Sequence, residues 1–139
     1  MSQINTEYLQ KCIDTLRKSY VMINSSKEGT VDYEMYRNSL VKSFEITLEQ
    51  SGKLLRKKLI PYFATNKAVD TLSFKDVFRH AHKKYSLLNE KEVERWFEYR
   101  DNRNNTAHDY GVEFAQKTLT LIESFLADVE KLKIVIEND

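Results

Sequence analysis

The stretch Arg100-Asp-Asn-Arg103-Asn-Asn-Thr-Ala-His108-Asp-Tyr110 places a guanidinium, an imidazole and a phenol within the eight residues from Arg103 to Tyr110. A guanidinium grips phosphate oxygens through its planar fork, and imidazole is the side chain that exchanges protons near neutral pH. These residue types suit chemistry at a phosphate; the competing reading is a capped, hydrogen-bonded helix junction. In an unbroken helix Arg103 and His108 would lie about 140° apart and would not converge. A break across residues 104–106 lets both face one pocket, and the run of Asn and Thr there, rich in residues that compete for backbone hydrogen bonds, predicts that the helix ends or kinks. His108 then falls in the first turn of the next helix, where unpaired N–H groups and the positive dipole end attract an anion.

Weaker candidates lie elsewhere. Glu45 stands beside Phe44 and Leu48 and is a candidate to orient Arg103 or His108, or is an ordinary helix-flank carboxylate. Arg79, His80, Lys83 and Lys84 with Tyr85 could track an RNA backbone with one stacking ring, or form a plain exposed helix face. His80 and His82 stand about 200° apart on a helix, so they cannot share a metal. The sequence contains no H-E-x-x-H, no Cys pair, no Gly-rich phosphate loop and no Ser-centred elbow, and we expect no metal and no cofactor. Cys12 belongs to an apolar stripe and reads as core.

The elements that must position these groups are helical. Ile4, Tyr8, Leu9, Cys12, Ile13, Leu16, Tyr20 and Ile23 recur at steps of three and four, marking a first helix. Residues 24–30 break the pattern, which resumes at Val31 and Met35 and continues through Leu40, Phe44, Leu48, Leu55 and Leu59, so a long second helix runs to about Pro61. Gly52 inside it predicts a close helix crossing or a slight kink. Ser73 with Asp76, and Asn89 with Glu92, form capping pairs that start a third helix (Phe74 to Tyr85) and a fourth near Glu90. Thr106 with Asp109 resembles a further cap, followed by Val112, Ala115, Leu119, Ile122, Leu126, Val129 and Ile136 at nearly heptad spacing. Long helices with short connections pack as an antiparallel up-and-down bundle of four to five helices.

Composition agrees with that class. The 139 residues, 41% hydrophobic, support one core, and we read residues 1–139 as a single domain. Three Gly and one Pro are too few for the turns of an all-β fold. With 22 basic and 21 acidic residues the net charge of +1 indicates neither a nucleic-acid-coating protein nor an acidic tail. Residues 51–84, however, hold nine Lys or Arg against two Asp, a candidate basic patch. One Cys excludes a disulfide-stapled scaffold. No apolar run is long enough to span a bilayer and no signal-peptide layout opens the chain, so a cytoplasmic protein is expected.

The string Arg103-Asn-Asn-Thr-Ala-His108-Asp-Tyr110 resembles the R-x4-H-x-Y motif of the HEPN family, in particular its nucleotidyltransferase substrate-binding branch. Trp96-Phe-Glu-Tyr-Arg-Asp and Ser43-Phe44-Glu45-Ile-Thr-Leu-Glu49 are similar to that branch as well. The resemblance implies a helical bundle, usually a homodimer, paired with a minimal nucleotidyltransferase, many such pairs acting as toxin and antitoxin. It further implies a metal-independent ribonuclease with Arg103 and His108 as its site, silenced when the partner enzyme modifies Tyr110 with a nucleotide. The alternative it leaves is a non-catalytic substrate-binding subunit of a two-component nucleotidyltransferase. A purely structural reading, a helical oligomerisation module, stands beside both.

Overall fold

A computed structural model describes residues 4–106 and 112–138. Its helices are α1 (Glu7–Asn24), α2 (Val31–Leu59), α3 (Asn66–Asp70), α4 (Phe74–Lys83), α5 (Glu90–Thr106) and α6 (Val112–Glu137), with a 3-10 turn at Ile60–Tyr62. The chain is all-α, a helical bundle.

Several helix starts are set by side chains that take up orphan N–H groups. Thr30 Oγ1 accepts from Tyr33 N at 3.2 Å and Ser73 Oγ from Asp76 N at 3.1 Å. Asn89 and Glu92 form a reciprocal box: Glu92 N donates to Asn89 Oδ1 at 2.8 Å and Asn89 N to Glu92 Oε1 at 3.0 Å. Hydrogen bonding to Ser73, with Arg79 beside it, holds the Asp76 carboxyl below the usual carboxylate range.

Cross-helix contacts fix the directions. Thr6, Arg17 and Tyr20 bond Glu137, Glu130 and Glu123 in that order, so α1 and α6 run antiparallel. Arg95 meets Asp128 and Asn102 meets Thr118, so α5 and α6 do too. Between α2 and α4 the sense is shared: Phe74 lies against Gly52, Phe63 against His80 and Tyr62 against Tyr85. The 3-10 turn and the short α3 carry the chain back before α4 begins. Arg56 pins this return, its Nη1 donating to Val69 O at 2.7 Å and Leu72 O at 2.8 Å. The connection holds more structure than apolar periodicity reveals, since the cap at Thr65, which accepts from Ala68 N, starts a helix of only five residues.

The core is an aromatic cluster inside an aliphatic shell. Trp96 stacks on Phe78 at 4.8 Å and meets Tyr99 and Phe125 edge-on, while Phe125 packs on Phe44 at 4.7 Å. Leu9, Ile13, Leu16, Leu48, Leu55, Ile122 and Val129 are fully buried around it, as their spacing predicts. Cys12 is also buried, and burial raises its thiol pKa, which keeps it a neutral core group. One buried polar system joins α5 to α6. Asp128 receives Arg95 Nε and Nη2, each at 2.8 Å, and the Tyr99 hydroxyl at 2.6 Å, a hydroxyl that also lies 2.8 Å from Ser124 Oγ. Burial, then the bond to Asp128, drives the Tyr99 pKa well above its ordinary value.

α5 stays helical through the weak helix formers of residues 102–106 as far as Thr106, and the next helix starts at Val112, so the expected end of the fourth long helix falls at the close of that run rather than inside it. Tertiary contacts outweigh local propensity here: Asn102 is buried and its Nδ2 donates to Thr118 Oγ1 at 3.0 Å, while Arg103 faces a carboxylate on α2. Gly52 meets its expectation of a close crossing, since a Cβ at that position would sit 2.7 Å from the Phe74 ring. Among the described residues no helix is long and apolar enough to cross a membrane.

Candidate active site

Six residues of one α2 face line a cleft of about 360 Å³: Lys42, Glu45, Ile46, Glu49, Gln50 and Lys53. Steps of three and one place them in a single stripe on the helix. Tyr8 of α1 and Arg103 of α5 complete the walls. The neighbouring stripe of α2, with Phe44, Leu48 and Leu55, is turned into the core, where Phe44 meets Phe125 of α6, and this leaves the cleft stripe toward solvent.

Arg103 faces a carboxylate. Its Nε lies 3.6 Å from Glu49 Oε1, and the same oxygen accepts from Arg100 Nη1 at 2.7 Å. Arg100 in turn lies over Phe74, 4.9 Å from the ring centroid. Two guanidinium groups therefore share one acid. Glu49, within the α2 segment quoted above for its resemblance, is a site residue that the R-x4-H-x-Y motif does not mark. Its spacing of four from Glu45 was the available signal, because that step keeps both on one helix face.

Glu45 lines the same cleft as Arg103, its carboxylate mostly shielded and 4.0 Å from Lys42 Nζ. The carboxylate paired with Arg103 among the described contacts is that of Glu49. His108 and Tyr110 lie outside the described residues, as does Asp109 of the expected cap with Thr106. The basic set on α4 sits elsewhere: Arg79 bonds Asp76 at 2.8 Å and covers the Phe97 ring at 4.9 Å, and Lys83 and Lys84 are exposed at the far end of α4. None of the three lines the Arg103 cleft. His80 packs edge-on to Phe63, whereas His82 Nδ1 is 2.9 Å from Leu88 O, so the two rings have separate surroundings. Among the described residues no group of three or more His, Cys, Asp or Glu is placed to hold a metal ion.

Chemically, the cleft offers cations for an anion, a carboxylate that pairs with one of them, and an exposed aromatic ring. Comparison with known proteins places the chain in a family. Residues 5–138 match the family model described as nucleotidyltransferase substrate binding protein like. A Haemophilus influenzae protein named "Probable ribonuclease HepT" is 25% identical over 130 residues, covering 91% of this chain and 87% of that protein. A solved Haemophilus influenzae structure, described as revealing the fold of a substrate binding domain of a nucleotidyltransferase, superimposes with a TM-score of 0.81 at 22% identity, covering 96% of this chain and all of the other. A Thermus thermophilus structure gives 0.73 at 20% identity over 94% of this chain and 99% of the other.

Proposed function

The chain belongs to the nucleotidyltransferase substrate-binding-protein-like family, and on that premise we propose that it is a metal-independent ribonuclease of the HEPN type, a toxin working through Arg103 and His108 and neutralised when a partner nucleotidyltransferase modifies Tyr110. The observation that carries this reading is the placement of Arg103 in an open cleft, ion-paired with Glu49 at 3.6 Å, five residues before a histidine. The name of the Haemophilus relative supports it.

The reaction needs few parts. The RNA 2′-oxygen attacks phosphorus as a base removes its proton, the bond to the 5′-oxygen breaks, and an acid protonates the departing oxygen, leaving a 2′,3′-cyclic phosphate. Arg103 stabilises charge on the non-bridging oxygens. His108 serves as one proton-transfer group, and a homodimer supplies the second from the other copy. Glu45, on the cleft wall, keeps its proposed supporting role toward Arg103 or His108. Arg79, Lys83 and Lys84 remain a weaker proposed track for RNA beyond the cleft. For regulation, the Tyr110 phenol oxygen bonds the α-phosphorus of a nucleoside triphosphate and pyrophosphate leaves. The new phosphodiester then competes with RNA by volume and by like charge.

Purified protein is expected to cut RNA in the presence of a chelator, with His108→Ala slowing cleavage by roughly 10²-fold or more. Equal rates in both would assign the activity to a contaminant. A second reading, a non-catalytic subunit that presents substrate to the transferase, is favoured by the family description and by the described role of the structurally similar Haemophilus domain. Absence of cleavage by unmodified protein would select it.

A further inference from the structure

Tyr8 is 56% exposed and Ile46 36% exposed, side by side on the cleft that holds Arg103. An aromatic ring and a branched aliphatic left in water next to cations form the usual platform for a nucleobase, whose face stacks while its phosphates meet lysine. Lys42 and Lys53, eleven residues apart on α2, stand about 16 Å apart along the helix, one on either side of this platform. Gln50 between them offers both a donor and an acceptor to a base edge.

We propose that the cleft between Tyr8 and Arg103 seats one unstacked nucleotide of single-stranded RNA, its base on Tyr8 and Ile46 and its flanking phosphates at Lys42 and Lys53. The cleft volume of about 360 Å³ falls at the low end of the roughly 300–1,000 Å³ of small-ligand sites, which suits a single splayed nucleotide. A duplex is excluded, because its bases are paired and stacked and cannot reach a ring set in a helical groove. The inference rests on the ribonuclease reading of the same site and names the form of its substrate. Since every base has a π-face, the seat tolerates any of them, and selectivity for single strands comes from the need to unstack.

The test uses the full chain and a fluorescent 2′-O-methyl hexaribonucleotide, which lacks the attacking hydroxyl and so reports binding without cleavage. Tyr8→Ala is expected to weaken binding about tenfold or more, the usual loss of one stacked base, and Tyr8→Phe to retain it. Lys53→Ala is expected to flatten the slope of log affinity against log salt by about 0.7, the value for one phosphate on a single strand. Unchanged affinity in Tyr8→Ala, with Arg103→Ala weakened, overturns the seat and leaves the ribonuclease reading standing. A lower molar mass for Tyr8→Ala by light scattering, with RNA affinity intact, makes Tyr8 a contact between copies and also overturns it. A wild-type chain that neither binds the oligonucleotide nor cuts RNA defeats both readings.

Discussion

Replacing Asp128 by Asn tests what joins α5 to α6. Asp128 is 3% exposed and Arg95 is 37% exposed, which places the pair between two regimes. Breaking a fully buried pair costs about 3–5 kcal/mol because a charge is stranded, and an exposed pair contributes about 0.2–1 kcal/mol. Here the guanidinium regains water when its partner is lost, so the stranded-charge penalty is partial. Two things are lost outright in the variant. The charge-assisted character of the Arg95 bonds goes, and because the guanidinium bonds both carboxylate oxygens, the new NH₂ faces one of its N–H groups in either amide orientation, setting donor against donor. With hydrogen bonds to charged groups contributing about 1.5–3 kcal/mol each, a loss of about 2–3 kcal/mol is expected. The side chain is isosteric, so no cavity contributes. Urea unfolding followed by the buried Trp96 should show the midpoint falling with the slope unchanged. A loss under about 1 kcal/mol at unchanged slope would refute the reasoning and demote the pair to a surface contact.

Tyr99 predicts an alkaline effect. Its folded pKa is raised above the unfolded value of about 10, so the folded state holds the proton longer, and stability present below that pH declines as pH rises past it; Tyr99→Phe should remove this component from a pH series of urea midpoints. Gly52→Ala sets the roughly 1 kcal/mol helix gain of Ala against a 2.7 Å approach to the Phe74 ring, where overpacking costs about 1–3 kcal/mol. A net loss of about 1 kcal/mol is expected by thermal or urea melting, and a more stable variant would show that the ring moves aside freely.

The helices were legible because their cause is local and repeated. Leu9, Ile13 and Leu16, or Ile122 and Val129, declare a face by spacing alone, and the Asn89–Glu92 box is written in two residues. The return between α2 and α4 was not legible, since it depends on Arg56 reaching carbonyls 13 and 16 residues onward, contacts that no window of sequence contains. That α5 continues to the close of the 102–106 run has the same kind of cause. Asn102 is a poor helix former in isolation, but a buried Thr118 on α6 gives its amide a partner, and the helix persists. At the site, Arg103 was visible through its motif, whereas Glu49 and Tyr8 were not, because each matters only once α1, α2 and α5 are side by side.

The shared carboxylate of Glu49 and the Phe74 ring beneath Arg100 have a consequence for how the site meets a ligand. A free arginine carries about 2 kcal/mol of rotamer entropy. Arg100 is confined from two directions before anything binds, by the ring at 4.9 Å and the oxygen at 2.7 Å, and Arg103 is drawn toward the same oxygen. Much of that freedom is thus lost during folding. A ligand arriving at the cleft meets in Glu49 a carboxylate already engaged by Arg100, so less of the cost of ordering the cleft wall falls on binding. The first residue of α4, which touches no ligand in this picture, therefore helps set the position of the carboxylate that faces Arg103, by way of Arg100.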